Sequence, residues 1–137
     1  MSRDPGNLRE LIGHLAGDVV IEARVSNLGV NWLNIATGGA LIWTNTEFLL
    51  ADSNNFLLAS EDPVDRIAEV ITTLDGRRVT AVEVSHFLDL TLDFEGLRLT
   101  TFTTSALADT RHWSIQFSSG FTVFAGPGAD WSVERTG

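Results

Sequence analysis

Serine, histidine and acid side chains come closest together in this chain at Ser85-His86, with Asp89 just beyond. These are the residue types of a nucleophile, a base and an orienting carboxylate. A serine nucleophile also needs a strained strand-to-helix elbow and an oxyanion loop, and no such phrase surrounds Ser85. The remaining histidines, His14 and His112, stand far from it and from each other. No pair has the His-x-His or His-x-x-x-His spacing that puts two imidazoles on one metal. Cysteine is absent, which removes thiol nucleophiles, disulfides and thiolate-bound metal centres together. Asp89, Asp93 and Glu95 offer the oxygen ligands of a calcium loop, but Leu90, Leu92 and Phe94 alternate with them, and a strand cannot wrap carboxylates around an ion. Gly126-Pro127-Gly128 lacks the lysine and following helix of a phosphate loop. The residues point to no catalysis, no metal and no cofactor.

The elements that position these groups are organised around Val79–Thr104. From Val82 the even positions run Val, Val, His, Leu, Leu, Leu, Phe and the odd ones Glu, Ser, Phe, Asp, Thr, Asp, Glu. Alternation of this kind marks one buried face and one wet face. It places His86 on the buried register or at a bend between strands. Glu95-Gly96 suits a two-residue hairpin turn, since glycine accepts the positive φ such turns require. That turn sets Phe94 opposite Leu97, Leu92 opposite Leu99 and Asp93 opposite Arg98. On the outward register Glu83, Asp89, Asp93 and Glu95 form an acidic stripe.

Residues 4–16 and 62–75 each begin Asp-Pro, carry apolar residues at helical spacing and stop before a glycine, Gly17 and Gly76. Both read as short amphipathic helices. The phrase Leu-x-Gly-x-x-Val follows each, at Leu15–Val20 and Leu74–Val79. Further matches, including Val25/Val84, Ser26/Ser85, Leu33/Leu92, Gly38/Gly96 and Leu41/Leu99, extend the parallel. The expectation is an α+β fold: a single domain over 1–137 in which two tandem helix-plus-antiparallel β-meander repeats, about 4–60 and 62–134, share one β-rich core. In the first repeat a three-residue loop, Ala36-Thr37-Gly38, would join the hairpin strands. A second hairpin is expected in each repeat, around Asp52–Asn55 and around Ser118–Gly120. Ser105–Arg111 reads as an insertion.

The two repeats differ on their outward positions. The second has Asp89, Thr91, Asp93, Arg98 and Thr100, whereas the first has Val30, Trp32, Ala40 and Ile42. That register puts Trp43 and Trp113 in the core, leaves Trp131 open and makes Trp32 and Ile42 candidates for an apolar contact. A face apolar on both sides needs cover from the chain itself or from a partner.

The formal charge is −9, the wrong sign for gripping phosphate backbones, so nucleic acid is not an expected partner. All nine basic residues are arginine. No apolar run approaches a membrane span, and the start lacks a signal-peptide core, so the expected setting is the cytoplasm without membrane association. The pattern resembles an uncharacterised family of small bacterial proteins built from two β-rich repeats with the Leu-x-Gly-x-x-Val phrase and a late segment like Trp113–Phe117, Gly120 and Gly126 to Trp131. In size and charge it also resembles immunity proteins of bacterial toxin systems. These resemblances and the acidity give the functional expectation: a non-enzymatic acidic binding protein, an immunity-type inhibitor of a basic toxin domain, with Trp32, Ile42, Glu83, Asp89, Asp93 and Glu95 at the partner-binding surface. A structural homo-oligomer, such as a homodimer built through the first repeat's apolar face, and a small-ligand-binding β-domain are the alternatives.

Overall fold

The computed structural model describes residues 5–27, 31–102, 111–126 and 130–135. Asp4, which opens the first expected helix, Val30 and most of the Ser105–Arg111 insertion lie outside them. Helices α1 (Pro5–Ile12) and α2 (Val64–Ile71) each tighten into a 3-10 turn, Gly13–Leu15 and Thr72–Leu74. The strands are β1 (Val20–Asn27), β2 (Asn31–Thr37), β3 (Ala40–Thr44), β4 (Glu47–Ala51), β5 (Phe56–Ala59), β6 (Val79–Val84), β7 (Leu90–Phe94), β8 (Leu97–Phe102), β9 (Trp113–Phe117), β10 (Phe121–Ala125) and β11 (Trp131–Arg135). The result is an antiparallel β fold with two short helices, an α+β arrangement.

The larger sheet has six strands in the order β1-β2-β3-β9-β10-β11, and the smaller has five in the order β5-β4-β8-β7-β6. Each sheet is therefore built from both halves of the chain. The hairpin β4-β5 leaves β3 and joins β8, while β9-β10 leaves β8 and joins β3. The inner faces and both helices bury one continuous core that includes Leu33, Ile35, Ile42, Leu50, Leu92, Phe94, Leu99, Trp113 and Ile115. These side chains occupy the space between the sheets.

The helices end for local reasons. In α2, Ile67 and Ile71 face the core and Leu74 continues the stripe into the 3-10 turn. The hydroxyls of Thr72 and Thr73 donate back to the Glu69 and Val70 carbonyls, both at 2.7 Å. Gly76 then takes a φ of 81°, which stops the helix. The helices pack across the halves: α1 lies on β6, and α2 lies on β1 and β5. Between them the chain pairs reciprocally. Gly17 N–H donates to Val79 O and Gly76 N–H to Val20 O, both at 2.8 Å; Val79 N–H donates to Asp18 O at 2.7 Å and Val20 N–H to Arg77 O at 2.8 Å. A bridge between Val19 and Arg78 completes this junction of the two sheets' edge strands. Each edge strand also carries a bulge just beyond it, at Val20/Glu22 and at Val79/Ala81.

The β7–β8 hairpin has the expected register, with Phe94 opposite Leu97, Asp93 opposite Arg98 and Leu92 opposite Leu99. Glu95 and Gly96 both take positive φ, 48° and 97°. A Cβ added at Gly96 would meet nothing within 4 Å, so only the backbone resists it. Gly96→Ala is expected to lower stability by about 1–2 kcal/mol, read as a shifted midpoint in denaturant.

Two expectations about register need correction. The alternation from Val82 to Glu95 is not one strand: it breaks at Ser85–Asp89, where the chain turns from β6 into β7. His86 lies at this bend and is exposed, and Asp89 sits in the turn, not on the sheet face. In the first half the hairpin turn is Gly38-Gly39 and not the expected Ala36-Thr37-Gly38 loop, with Ala36 opposite Leu41 and Ile35 opposite Ile42 rather than Gly39. A shift by an odd number of residues flips every side chain on the strand. Ile42 is fully buried, and Leu41 and Trp43 point outward instead. Asp18 holds the turn in place, its carboxylate accepting from Thr37 Oγ1 at 2.9 Å and from Gly39 N–H at 3.2 Å. Leu41 and Leu99, matched in sequence, thus face opposite ways, outward and inward. Trp131 is buried, and Gly120, with φ 111°, turns β9 into β10 as expected.

Candidate functional site

The acidic residues expected to form one stripe are dispersed. Asp93 accepts a hydrogen bond from Arg98 Nε at 2.9 Å. That bond, with the charges of Asp93 and then Glu83, raises the Arg98 guanidinium pKa above its ordinary value. Arg98 therefore offsets the charge of the two acids nearest it on the smaller sheet. Glu95 is also engaged: its carboxylate accepts from Arg78 N–H and its carbonyl from Arg77 at 2.8 Å. Glu83 is exposed at the end of β6. Asp89 lies beyond it in the β6–β7 turn, where its N–H donates to Ser85 Oγ at 3.0 Å.

Ser85, His86 and Asp89 do meet in that turn, as a structural unit. Ser85 Oγ accepts from Phe87 N–H as well as from Asp89 N–H, and His86 sits edge-on to the Phe87 ring at 5.5 Å. His112 is buried between β3 and β10, its N–H on Ala125 O and its carbonyl taking Asn45 N–H, both at 2.7 Å. His14 is exposed, 6.5 Å from the Phe117 ring. Among the described residues no group of His, Asp and Glu could hold a metal ion.

The outer face of the larger sheet carries a different constellation. One row of paired positions runs Arg24, Asn34, Trp43, Ser114, Phe124, Ser132 across all the strands. Trp32, on the outward register of β2, meets Trp43 edge to face with ring centroids 5.3 Å apart. Both rings are half-buried, and among the described residues the Trp32 indole N–H is enclosed with no acceptor. Further along the row Arg111 lies over the Phe124 ring, 3.7 Å from its centroid, and bonds Glu134 at 3.2 Å. Leu41 is 43% exposed beside this row. No family model, curated protein or solved structure matches this chain. The face must be judged on its chemistry: aromatic planes and a guanidinium, the side chains enriched at protein-binding surfaces.

Trp32 was legible in the sequence as an outward tryptophan, whereas Ile42 belongs to the core and has no place in a contact surface. Trp43 takes the outward position instead, and only the position of the Gly38-Gly39 turn could have revealed this. The expected set is also divided: Trp32 lies on the larger sheet and Glu83, Asp93 and Glu95 on or beside the smaller, each pointing away from the shared core. One flat partner surface does not reach both.

The pairing of β2 with β3 explains why the tryptophans meet. Asn34 and Trp43 are direct cross-strand partners, and Trp32 lies two residues before Asn34 on the same side, a diagonal within reach of a large ring. At the corresponding place in the smaller sheet the direct pair is Asp93 and Arg98. Where one sheet presents an ion pair to water, the other presents aromatic rings.

Proposed function

We propose that this chain is a non-enzymatic acidic binding protein, an immunity-type inhibitor that covers a basic bacterial toxin domain with the outer face of its larger sheet. The Trp32–Trp43 pair carries the reading: two large rings held edge to face on an outward surface, one of them with an indole N–H that has no acceptor among the described residues. A slight rotation of Trp32 that gives this donor a partner carbonyl would add a hydrogen bond to the apolar contact. The charge of −9 supports a basic partner, since opposite charge accelerates encounter and disfavours wrong partners. The reading places the protein in the cytoplasm, where the toxin would be met; no helix among the described residues is long and apolar enough to cross a membrane.

A duplicated origin belongs to the same proposal. The matched order of helix, 3-10 turn and bulged edge strand in each half, and the reciprocal hydrogen bonds of Gly17 and Gly76, support it. On this account the two outer faces diverged, the smaller sheet keeping its ion pair and the larger becoming the contact surface.

The test is recovery of a basic protein from the native host's lysate, followed by affinity measurements on the purified pair. Trp32→Ala and Trp43→Ala are each expected to weaken binding at least about 30-fold, the loss typical of a central aromatic anchor. Asp93→Asn is expected to stay within about threefold, because its carboxylate is already engaged by Arg98. Unchanged affinity in both tryptophan variants would overturn the proposed face. Recovery of the protein itself alone, with a dimer in light scattering that Leu41→Asp abolishes, would favour the homo-oligomer.

A further inference from the structure

The turn between β6 and β7 displays Phe87, the most exposed of the large apolar side chains among the described residues at 69%. The loop that carries it is pinned. Ser85 Oγ accepts from the N–H groups of Phe87 and Asp89 at 3.2 and 3.0 Å, Ser85 N–H donates to Asp89 O at 2.9 Å, and Leu88 N–H donates to Ser85 O at 3.0 Å. The next residue, Leu88, is buried with a φ of 69°, a conformation that non-glycine residues rarely adopt. Its carbonyl accepts the indole N–H of the fully buried Trp113 at 2.8 Å, which ties the loop to the other sheet. His86 braces the ring from the side. A benzyl group is thus held out in water on a backbone whose freedom is already lost, so docking it would forfeit little further entropy.

The charges beside it are acidic: Glu83, exposed on the strand before, and Asp89, half-buried two residues after it. We propose that Phe87 is an anchor that enters an apolar pocket on a basic partner protein, with arginine or lysine side chains on the pocket rim meeting Glu83 and Asp89. This rests on the basic-partner reading above and adds a second contact, outside the tryptophan face. A second copy of this chain is a poor occupant, because two chains of charge −9 repel. An anionic membrane surface is disfavoured by the same flanking acids.

The experiment places photoreactive p-benzoylphenylalanine at position 87 of the full chain in the native host. Positions 41, on the larger sheet's outer face, and 56, an exposed phenylalanine on β5, serve as comparisons. The expected result is one dominant adduct from position 87, on a basic protein, mapping to apolar residues flanked by arginine or lysine. With that protein purified, Phe87→Ala should weaken binding at least about 30-fold, Phe87→Leu less, and Phe56→Ala under twofold. Since Phe87 and Phe56 are both exposed, the melting temperatures of these variants should match wild type. Absence of an adduct at 87, adducts only with lipid or with the chain itself, or Phe87→Ala binding as well as Phe56→Ala would overturn the anchor. A basic partner cross-linked from position 41 but not from 87 would sink the anchor and leave the proposed function standing. Adducts with a basic partner from 87 and not 41 would leave the anchor and the basic partner standing and overturn the tryptophan face as the contact surface.

Discussion

Trp113→Ala is expected to lower the free energy of unfolding by about 3–5 kcal/mol, and Trp113→Phe by about 1–3 kcal/mol. The alanine variant leaves a cavity the size of an indole in a fully buried position of β9. The phenylalanine variant keeps most of the volume but strands the Leu88 carbonyl, which loses its hydrogen bond in a buried setting. Leu88 already holds a left-handed backbone, so this bond helps offset a conformational cost of about 1–2 kcal/mol. Urea unfolding with the slope held constant measures both losses. Hydrogen exchange separates them further: Trp113→Phe should speed exchange at the Phe87 and Asp89 amides relative to those of β2 and β3. Equal stability of wild type and Trp113→Phe would mean that the bond between the sheets contributes nothing.

Ile42→Asp is expected to abolish folding, while Leu41→Asp, one residue away, leaves the free energy of unfolding within about 0.5 kcal/mol of wild type. Ile42 has no exposed surface, so an aspartate there either buries an unpaired charge or takes up a proton against its ordinary preference. Either exceeds the few kcal/mol by which a domain of this size is stable. Leu41 meets water over 43% of its surface and loses only a partial apolar contact. Circular dichroism distinguishes a folded from an unfolded chain for each variant. The opposite pattern would restore the three-residue loop expected from the sequence and return Ile42 to the surface.

This pair of positions also shows why some of the molecule was legible and some was not. The β7–β8 hairpin could be read residue by residue because Glu95-Gly96 fixes a turn and strict alternation fixes the face. Around Gly38 two neighbouring glycines allow the turn at more than one place, and Leu41, Ile42 and Trp43 are all apolar, so neither signal chose the register. The choice was made by Asp18, distant in sequence, whose carboxylate holds Thr37 and Gly39. The break at Ser85–Asp89 was legible only as one of two places for His86, because the turn preserves the alternation on either side of it. The helix positions and glycine stops were legible from local punctuation. Which helix covers which sheet was not, since a stripe of buried side chains carries no address. For the candidate site the tryptophans and acids were visible as types, but their division between two outer faces follows from strand order alone.

The exchange of hairpins between the sheets sets a condition on how the protein is made. A ribosome that has released β1 to β5 has produced strands that belong to two different sheets, with β3 still lacking β9 and β4 still lacking β8. Until the second half emerges, both strands present open backbone edges, the hazard that neighbouring chains on a polysome can exploit. The same arrangement makes late folding decisive: once β8 and β9 arrive they close both sheets at nearly the same time. Slow translation or a shortage of holding chaperones should therefore harm yield far more when it strikes between β5 and β9 than when it strikes before β3.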